Sequence, residues 1–285
     1  MARRKTSKKK ASGWSLLLVL GLIVAGFIWP EFGGVVNALL GENIFPEGAT
    51  EITENTPPYE YDDVAAANLP NTPSSFVLAK RLLYSRVYED QRVSFYCGCD
   101  YSPGRHVDLN SCRMSQLEGI ERAKRIEAEH VFPAYHFGQH RQCWREPMCT
   151  DRDGDTFKGR DCCEEIDPVF RAAHNDLHNL VPAVGEINGD RSNLNWGMVE
   201  GEAREYGACN FEVDRSIRRA EPPEQVMGDV ARIYFYMSDT YGIRLSDQDR
   251  QLLEAWNRMD PVDDWERTRD ERIAAIQGNH NPYVQ

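Results

Sequence analysis

Histidine, carboxylate, amide and arginine side chains crowd into two short stretches of this sequence. The first, residues 127–145, holds Glu127, Glu129, His130, His136, His140, Arg141 and Arg145. The second, residues 174–193, holds His174, Asp176, His178, Asn179, Glu186, Asn188, Asp190, Arg191 and Asn193. A histidine that is neutral at pH 7 can take a proton from water. Carboxylate and amide oxygens suit a hard divalent cation, and a guanidinium suits a phosphate. Together these are the parts of a metal-assisted hydrolysis. Taken singly, each has a plainer explanation. A lone histidine is more often a hydrogen-bonded structural residue than a catalyst, and Asn188-Gly189 is a common turn dipeptide.

Two other groupings invite metal readings. His174 and His178 are four apart, a spacing that puts two side chains on one helical face and can ligate zinc. No glutamate of the metalloprotease kind lies between them, so structural roles are favoured and a zinc hydrolase is the lesser alternative. Asp151-Arg152-Asp153-Gly154-Asp155 looks like the start of a calcium loop, with carboxylates at positions 1, 3 and 5. Position 6 is Thr156 where such a loop needs glycine, and position 12 is Cys162 where it needs glutamate. A plain surface loop is therefore favoured over Ca2+ at 151–155.

The chain that must position these residues has 285, long enough for a substantial core. Its hydrophobic content of 41% excludes a wholly disordered chain. The net charge of −12 excludes a protein that coats nucleic acid by bulk positive charge. That charge is lopsided. Residues 1–13 carry six cations (Arg3, Arg4, Lys5, Lys8, Lys9, Lys10) and no acids, leaving 27 of the 33 bases against all 45 acids elsewhere. An apolar run from Trp14 to Trp29 follows, so 1–13 reads as a basic cytoplasmic n-region and 14–40 as a signal peptide or an N-terminal membrane anchor. Either way the positive-inside bias predicts that everything beyond about residue 40 is exported, to the periplasm or the medium.

Residues 41–73 are acidic and proline-bearing and read as a solvated linker, leaving 74–285 as the folded domain. The eight cysteines, Cys97, Cys99, Cys112, Cys143, Cys149, Cys162, Cys163 and Cys209, all lie in that domain. In an exported chain an even count reads as a disulfide framework, whose 105 pairings sequence alone does not sort. The close pairs 97/99 and 162/163 are each expected to bridge elsewhere. Zinc is the competing reading of the cysteines, but no Cys-x-x-Cys spacing supports it.

Within the domain, Ser74 or Ser75 is expected to cap a helix with Phe76, Val77, Leu82, Leu83 and Val87 on one side. Arg92–Cys99 alternates β-branched and aromatic residues and predicts a strand. Apolar spacing predicts a helix over Pro223–Tyr241 ended by Gly242, and a second opened by Ser246 with Leu252, Leu253 and Trp256 inward. A third is expected over Pro261–Ile276, ended by Gly278. The expected class is α+β: mixed short strands and helices, stapled by cysteines. Neighbours on a regular strand point to opposite faces, so Glu129 and His130 can share a site only at a strand end or irregular turn. Pro133 is consistent with such a break. On an unbroken strand Glu127 and Glu129 would share the face and His130 would be left out.

Seven strings, in order, carry a family resemblance. They are Phe95-Tyr96-Cys97-Gly98-Cys99, Glu129-His130-Val131-Phe132-Pro133-Ala134, Gln142-Cys143-Trp144, Asp176-Leu177-His178-Asn179-Leu180, Gly185-Glu186-Ile187-Asn188-Gly189-Asp190-Arg191, Tyr234-Phe235-Tyr236-Met237 and Gly278-Asn279-His280-Asn281-Pro282-Tyr283. The chain from about residue 76 to its end resembles the bacterial endonuclease I family, periplasmic and secreted His-Me finger (ββα-metal) nucleases. The resemblance implies a ββα-metal core and an exported endonuclease, largely nonspecific in sequence, that hydrolyses DNA, with RNA also admissible, and leaves 5′-phosphate ends. It implies His130 as general base and one Mg2+ held by Glu129 and Asn188. It also implies a phosphate-stabilising arginine shortly before a cysteine, for which Arg160 is the better match and Arg141 the competitor. A local groove of cations must then offset the acidic body, with Arg141, Arg145 and Arg191 as substrate-binding candidates beside Lys158 and Arg171. A monomer that meets the membrane only through an uncleaved N-terminus is expected. The rival from another class is a noncatalytic, disulfide-rich calcium-binding module, which leaves the Glu129-His130 and Asn188 strings unexplained.

Overall fold

Apolar periodicity and capping residues set most of the helices, while the strands are short and made by pairing. The computed structural model describes residues 60–61, 64–65, 68–201 and 204–285. All of these fall in one compact unit, Pro57–Gln285. The basic stretch 1–13, the apolar segment 14–40 and most of the 41–73 linker lie outside the described residues.

In chain order the elements are β1 (Glu60–Tyr61), α1 (Phe76–Leu82), β2 (Ile126–His130), α2 (Ala134–Gly138), α3 (Gln142–Arg145), β3 (Cys149–Thr150) and β4 (Thr156–Phe157). Then come α4 (Arg160–Ile166), α5 (Pro168–Asn175), β5 (Leu180–Val184), α6 (Gly185–Arg191), β6 (Asn195–Trp196), β7 (Glu212–Asp214) and β8 (Arg219–Glu221). The chain ends with α7 (Met227–Tyr241), β9 (Ile243–Arg244), α8 (Asp247–Met259) and α9 (Asp264–Gln277). The class is α+β; among the described residues there are three two-stranded sheets (β1-β9, β2-β5, β3-β4) and one three-stranded sheet in the order β6-β8-β7.

The pair that matters is β2 with β5. They run antiparallel from Ile126 opposite Val184 to His130 opposite Leu180. β5 is buried at every position, as its unbroken apolar run requires. It passes directly into α6, giving strand, strand and helix in immediate contact. α7 forms the centre of the core. Twelve of its fifteen residues are buried, so it is packed on all sides rather than on one stripe. Val230, Ile233, Tyr234 and Met237 of α7 join Leu253 and Trp256 of α8 in the main apolar cluster.

The caps act where expected. Ser75 Oγ accepts from the Leu78 amide at 3.3 Å, and Ser246 Oγ from the Asp249 amide at 3.1 Å. Asp263 and Glu266 form a reciprocal capping box at the start of α9. Gly242 and Gly278 end α7 and α9 at φ +66° and +79°, the left-handed region that favours glycine.

Three expectations need correction. Val77 is 74% exposed, so α1 buries Ala79 and, in the π-turn Leu83–Val87 that continues it, Leu83 and Val87. Arg92–Cys99 is no strand among the described elements; only an isolated bridge joins Val93 to Asp100, and the chain turns at Phe95–Cys97. The apolar alternation there serves a disulfide-pinned loop packed on Pro182, whose carbonyl accepts the Phe95 amide at 2.8 Å. Finally, the 41–73 segment is not wholly solvated. Glu60 and Tyr61 pair with Arg244 and Ile243, and Leu69 packs against the core.

Four disulfides join Cys97 to Cys209, Cys99 to Cys112, Cys143 to Cys163 and Cys149 to Cys162. The close pairs do bridge elsewhere, and no thiolate remains for zinc among them. The last two bridges fasten the first turn of α4 to α3 and to β3. Arg160 opens that helix, so its backbone is pinned from two sides.

Candidate active site

The carboxyl end of β2 opens into a cleft of about 760 Å3. Glu129 and His130, the last two residues of the strand, both line it. They do so because the strand stops there: residues 131–132 bend, and Pro133 leads into α2. Asn179 splices the bend. Its backbone carbonyl takes the Val131 amide at 3.0 Å, its Oδ1 takes the Phe132 amide at 2.7 Å, and its Nδ2 donates to Phe132 O at 2.9 Å. Such a splice replaces the ladder bonds that the broken strand gives up.

His130 is 7% exposed and its Nε2 lies 2.8 Å from the backbone carbonyl of His174. A carbonyl only accepts, so the proton sits on Nε2 and the lone pair on Nδ1. The ring is held between Phe76, at 5.1 Å between centroids, and His174, at 4.8 Å. Burial first, then the charges of His174 and Arg160, hold its pKa well below the ordinary 6.5. The His130 ring is therefore uncharged at pH 7.

Glu129 is 3% exposed. Tyr96 donates to its Oε1 at 3.1 Å, and Arg191 Nη1 lies 3.2 Å from the same oxygen. Burial pushes its pKa up to about 7, against the pull of Arg191 and Tyr96. Asn188, on α6, lines the cleft and donates from Nδ2 to Glu127 Oε2 at 2.9 Å. Its Oδ1 is left as the free acceptor end. One carboxylate and one amide oxygen make an all-oxygen donor set that fits a hard cation retaining several waters.

Arg160 lines the same cleft, solvent-open and in no hydrogen bond or ion pair among the described residues. Lys80, Arg105, Arg122 and Arg125 line it too. Five cations thus surround two carboxylates, Glu127 and Glu129, in a chain whose net charge is −12. A cleft so lined attracts a polyanion even in an acidic chain.

A profile of the family described as Endonuclease I matches residues 75–285, a span that contains every cleft residue named above. The chain belongs to the endonuclease I family. It is an endonuclease. An extracellular deoxyribonuclease of Aeromonas hydrophila is 42% identical over 215 residues, covering 74% of this chain and 88% of its own. A periplasmic deoxyribonuclease of the same species is 40% identical over 204 residues, 70% of this chain and 81% of its own. Endonuclease-1 of Buchnera aphidicola subsp. Acyrthosiphon pisum (strain APS) is 39% identical over 216 residues, 75% and 81%. Family membership sets aside the noncatalytic calcium-module reading.

Three of the endonuclease's arginines are not where sequence reasoning put them. Arg191 is wholly buried: it pairs with Glu129, donates to His130 O at 2.8 Å and also to Val131 O, and stacks on Trp196. It supports the strand end from behind and does not reach the cleft. Arg141 is tied to Asp167 at 2.7 Å, and Arg145, though exposed, does not line the cleft. The cations that do line it escaped notice because they come from three separate places. Lys80 follows Phe76 by one turn of α1, Arg105 sits in an exposed turn, and Arg122 and Arg125 immediately precede β2.

The other metal readings also change. α5 ends at Asn175, so His174 and His178 share no helical face. His178 Nε2 meets Asn279 O at 3.0 Å, whereas His174 stacks on His130 and Phe76. Among the described residues, no three His, Cys, Asp or Glu side chains converge as a metal cluster. Asp151 Oδ1 accepts the amides of Asp153 and Asp155, each at 2.9 Å, and so closes the β3–β4 turn itself.

His136, 2% exposed, has its pKa pushed down to about 3, by burial first and then by the charge of Arg191. A histidine held neutral in the fold contributes stability above its unfolded pKa of about 6.5, lost as pH falls below that value. The melting temperature is expected to drop between pH 7 and pH 5, and to drop less in His136→Gln. Equal drops in the two proteins would contradict this.

Proposed function

We propose that this endonuclease is exported and hydrolyses backbone phosphodiesters of DNA, largely without sequence preference, using a ββα-metal core made of β2, β5 and α6. His130 acts as general base, Glu129 and Asn188 hold one Mg2+, Arg160 steadies the scissile phosphate, and the products end in 5′-phosphate. The observation that carries this reading is a neutral His130, its Nδ1 lone pair free, beside Glu129 in a cleft lined by five cations.

His130 Nδ1 takes the proton of the attacking water while Nε2–H stays on the His174 carbonyl, which shares the positive charge that develops on the ring. Arg160, free of other partners, offers its guanidinium to a nonbridging phosphate oxygen. Lys80 and Arg105 neutralise neighbouring phosphates, and Arg122 and Arg125, held on Glu127, add positive charge to the same wall of the cleft. Contacts of this kind carry no sequence information and weaken steeply with salt. Bound Mg2+ would supply charge stabilisation for the crowded phosphorus and the departing 3′ oxygen.

Export is supported by the basic and apolar N-terminal segments, by the four disulfides, and by the extracellular and periplasmic relatives. Those relatives, named deoxyribonucleases, favour DNA as substrate. The test uses the oxidised protein with supercoiled plasmid and Mg2+. Conversion to nicked and linear forms, with ends that religate without prior phosphorylation, is expected. A folded, oxidised protein that leaves the plasmid intact would overturn the reading.

A further inference from the structure

Asparagine is a two-ended ligand: its carbonyl oxygen can bind a hard cation and its NH2 cannot. Before the cation arrives, an isolated side chain has no preference for which end faces the site. We infer that Glu127 is a positioning residue, whose carboxylate fixes Asn188 so that the amide oxygen is the end offered to the cation. This rests on the reading of Glu129 and Asn188 as Mg2+ ligands and deepens it.

Glu127 Oε2 lies 2.9 Å from Asn188 Nδ2. An ionised carboxylate only accepts, so the opposite flip of the amide would set oxygen against oxygen. Glu127 is itself locked. Arg122 grips it with two bonds, Nε to Oε1 at 3.1 Å and Nη2 to Oε2 at 2.8 Å. Arg125 adds Nε to Oε1 at 2.9 Å and an Nη2 contact at 2.8 Å. Both carboxylate oxygens are thus occupied by protein donors.

The helix that carries Asn188 is shaped to admit this clamp. A Cβ at Gly185 would lie 2.4 Å from the Arg122 carbonyl oxygen, and one at Gly189 would lie 2.2 Å from Arg122 Nη1. A side chain at position 185 would strike the Arg122 backbone, and one at 189 would push the Arg122 guanidinium aside, so the two glycines let Arg122 lie against α6 and hold Glu127 under Asn188. The competing role, a second carboxylate ligand, arises because Glu127 and Glu129 share one face of β2. It requires Glu127 to give up donors that already fill both its oxygens.

The clamp is testable on the oxidised protein without DNA, by Mn2+ titration followed by calorimetry or electron paramagnetic resonance. Glu127→Ala should fold normally, because Arg122 and Arg125 are 43% and 60% exposed and stay solvated when their partner is removed. Its Mn2+ affinity is expected to fall by about 10–100-fold, the usual effect of removing a residue that orients a ligand. Glu127→Gln, which keeps an acceptor for the Asn188 NH2, should recover most of that loss. Glu127→Ala/Asn188→Ala should bind no more weakly than Asn188→Ala alone, because both changes remove one function. With plasmid at low Mg2+, Glu127→Ala should lower kcat without raising KM, since two arginines are released toward phosphate. Wild-type Mn2+ affinity in Glu127→Ala overturns the proposal. Losses that add in the double variant, or a Glu127→Gln as weak as Glu127→Ala, overturn it in favour of a direct ligand. An Asn188→Ala protein that binds Mn2+ like wild type removes the metal reading itself, and the positioning role falls with it.

Discussion

His130→Ala is expected to lower turnover by about 10²–10⁴-fold, the usual worth of a general base, with DNA affinity close to wild type. The separation follows from what the ring touches. Its neighbours are Phe76, His174 and a backbone carbonyl, none of them a phosphate-binding group, so its loss removes a proton acceptor and little binding energy. No neighbour replaces it. His174 lies closest, but it is 1% exposed and does not line the cleft, so it cannot reach the attacking water. His136 has its Nε2 on the Asn193 carbonyl at 2.9 Å. Single-turnover nicking should show the loss, filter binding with Ca2+ in place of Mg2+ should show retained affinity, and thermal melting should confirm the fold. Full nicking activity in His130→Ala would sink the assignment.

What the sequence made legible was mostly local. Ser75, Ser246, the Asp263–Glu266 box and the two terminal glycines act within one helical turn, so their residue types suffice to find them. The break after Glu129 and His130 was also legible, because period-two geometry brings adjacent side chains into one cleft only at a strand end or an irregular turn. The misreadings all concern partners distant in sequence. Arg191 looked like a substrate cation since nothing local shows that Glu129, sixty-two residues earlier, meets it inside the core. Arg141 looked free because Asp167 lies across the two-disulfide hairpin. Arg92–Cys99 alternates like a strand but is tied off by Cys97–Cys209 and Cys99–Cys112, so tertiary bridging overrides the pattern. The Glu127 clamp was invisible for a similar reason. Its two glycines are ordinary residues until Arg122 is placed against them.

Glu129→Ala is expected to cause two losses at once, and their separation by Glu129→Gln is the sharper test of the site. The carboxylate is 3% exposed and its partner Arg191 is wholly buried, so truncation strands a guanidinium in the core. Breaking a buried pair from one side costs about 3–5 kcal/mol. The lower end applies here, because Arg191 keeps the His130 and Val131 carbonyls and the face of Trp196. Removal of the one anionic metal ligand should cut nicking at least about 10²-fold, since a bound cation contributes several kcal/mol of transition-state stabilisation. Glu129→Gln keeps the shape and an oxygen for Tyr96 and Arg191, so it should melt within a few degrees of wild type while its Mg2+ requirement rises steeply. Asn188→Ala, on the half-buried rim, should copy that activity loss with no stability loss. Should Glu129→Gln nick plasmid with wild-type Mg2+ dependence, the carboxylate serves Arg191 and the core alone, and the cation must be held elsewhere in the cleft.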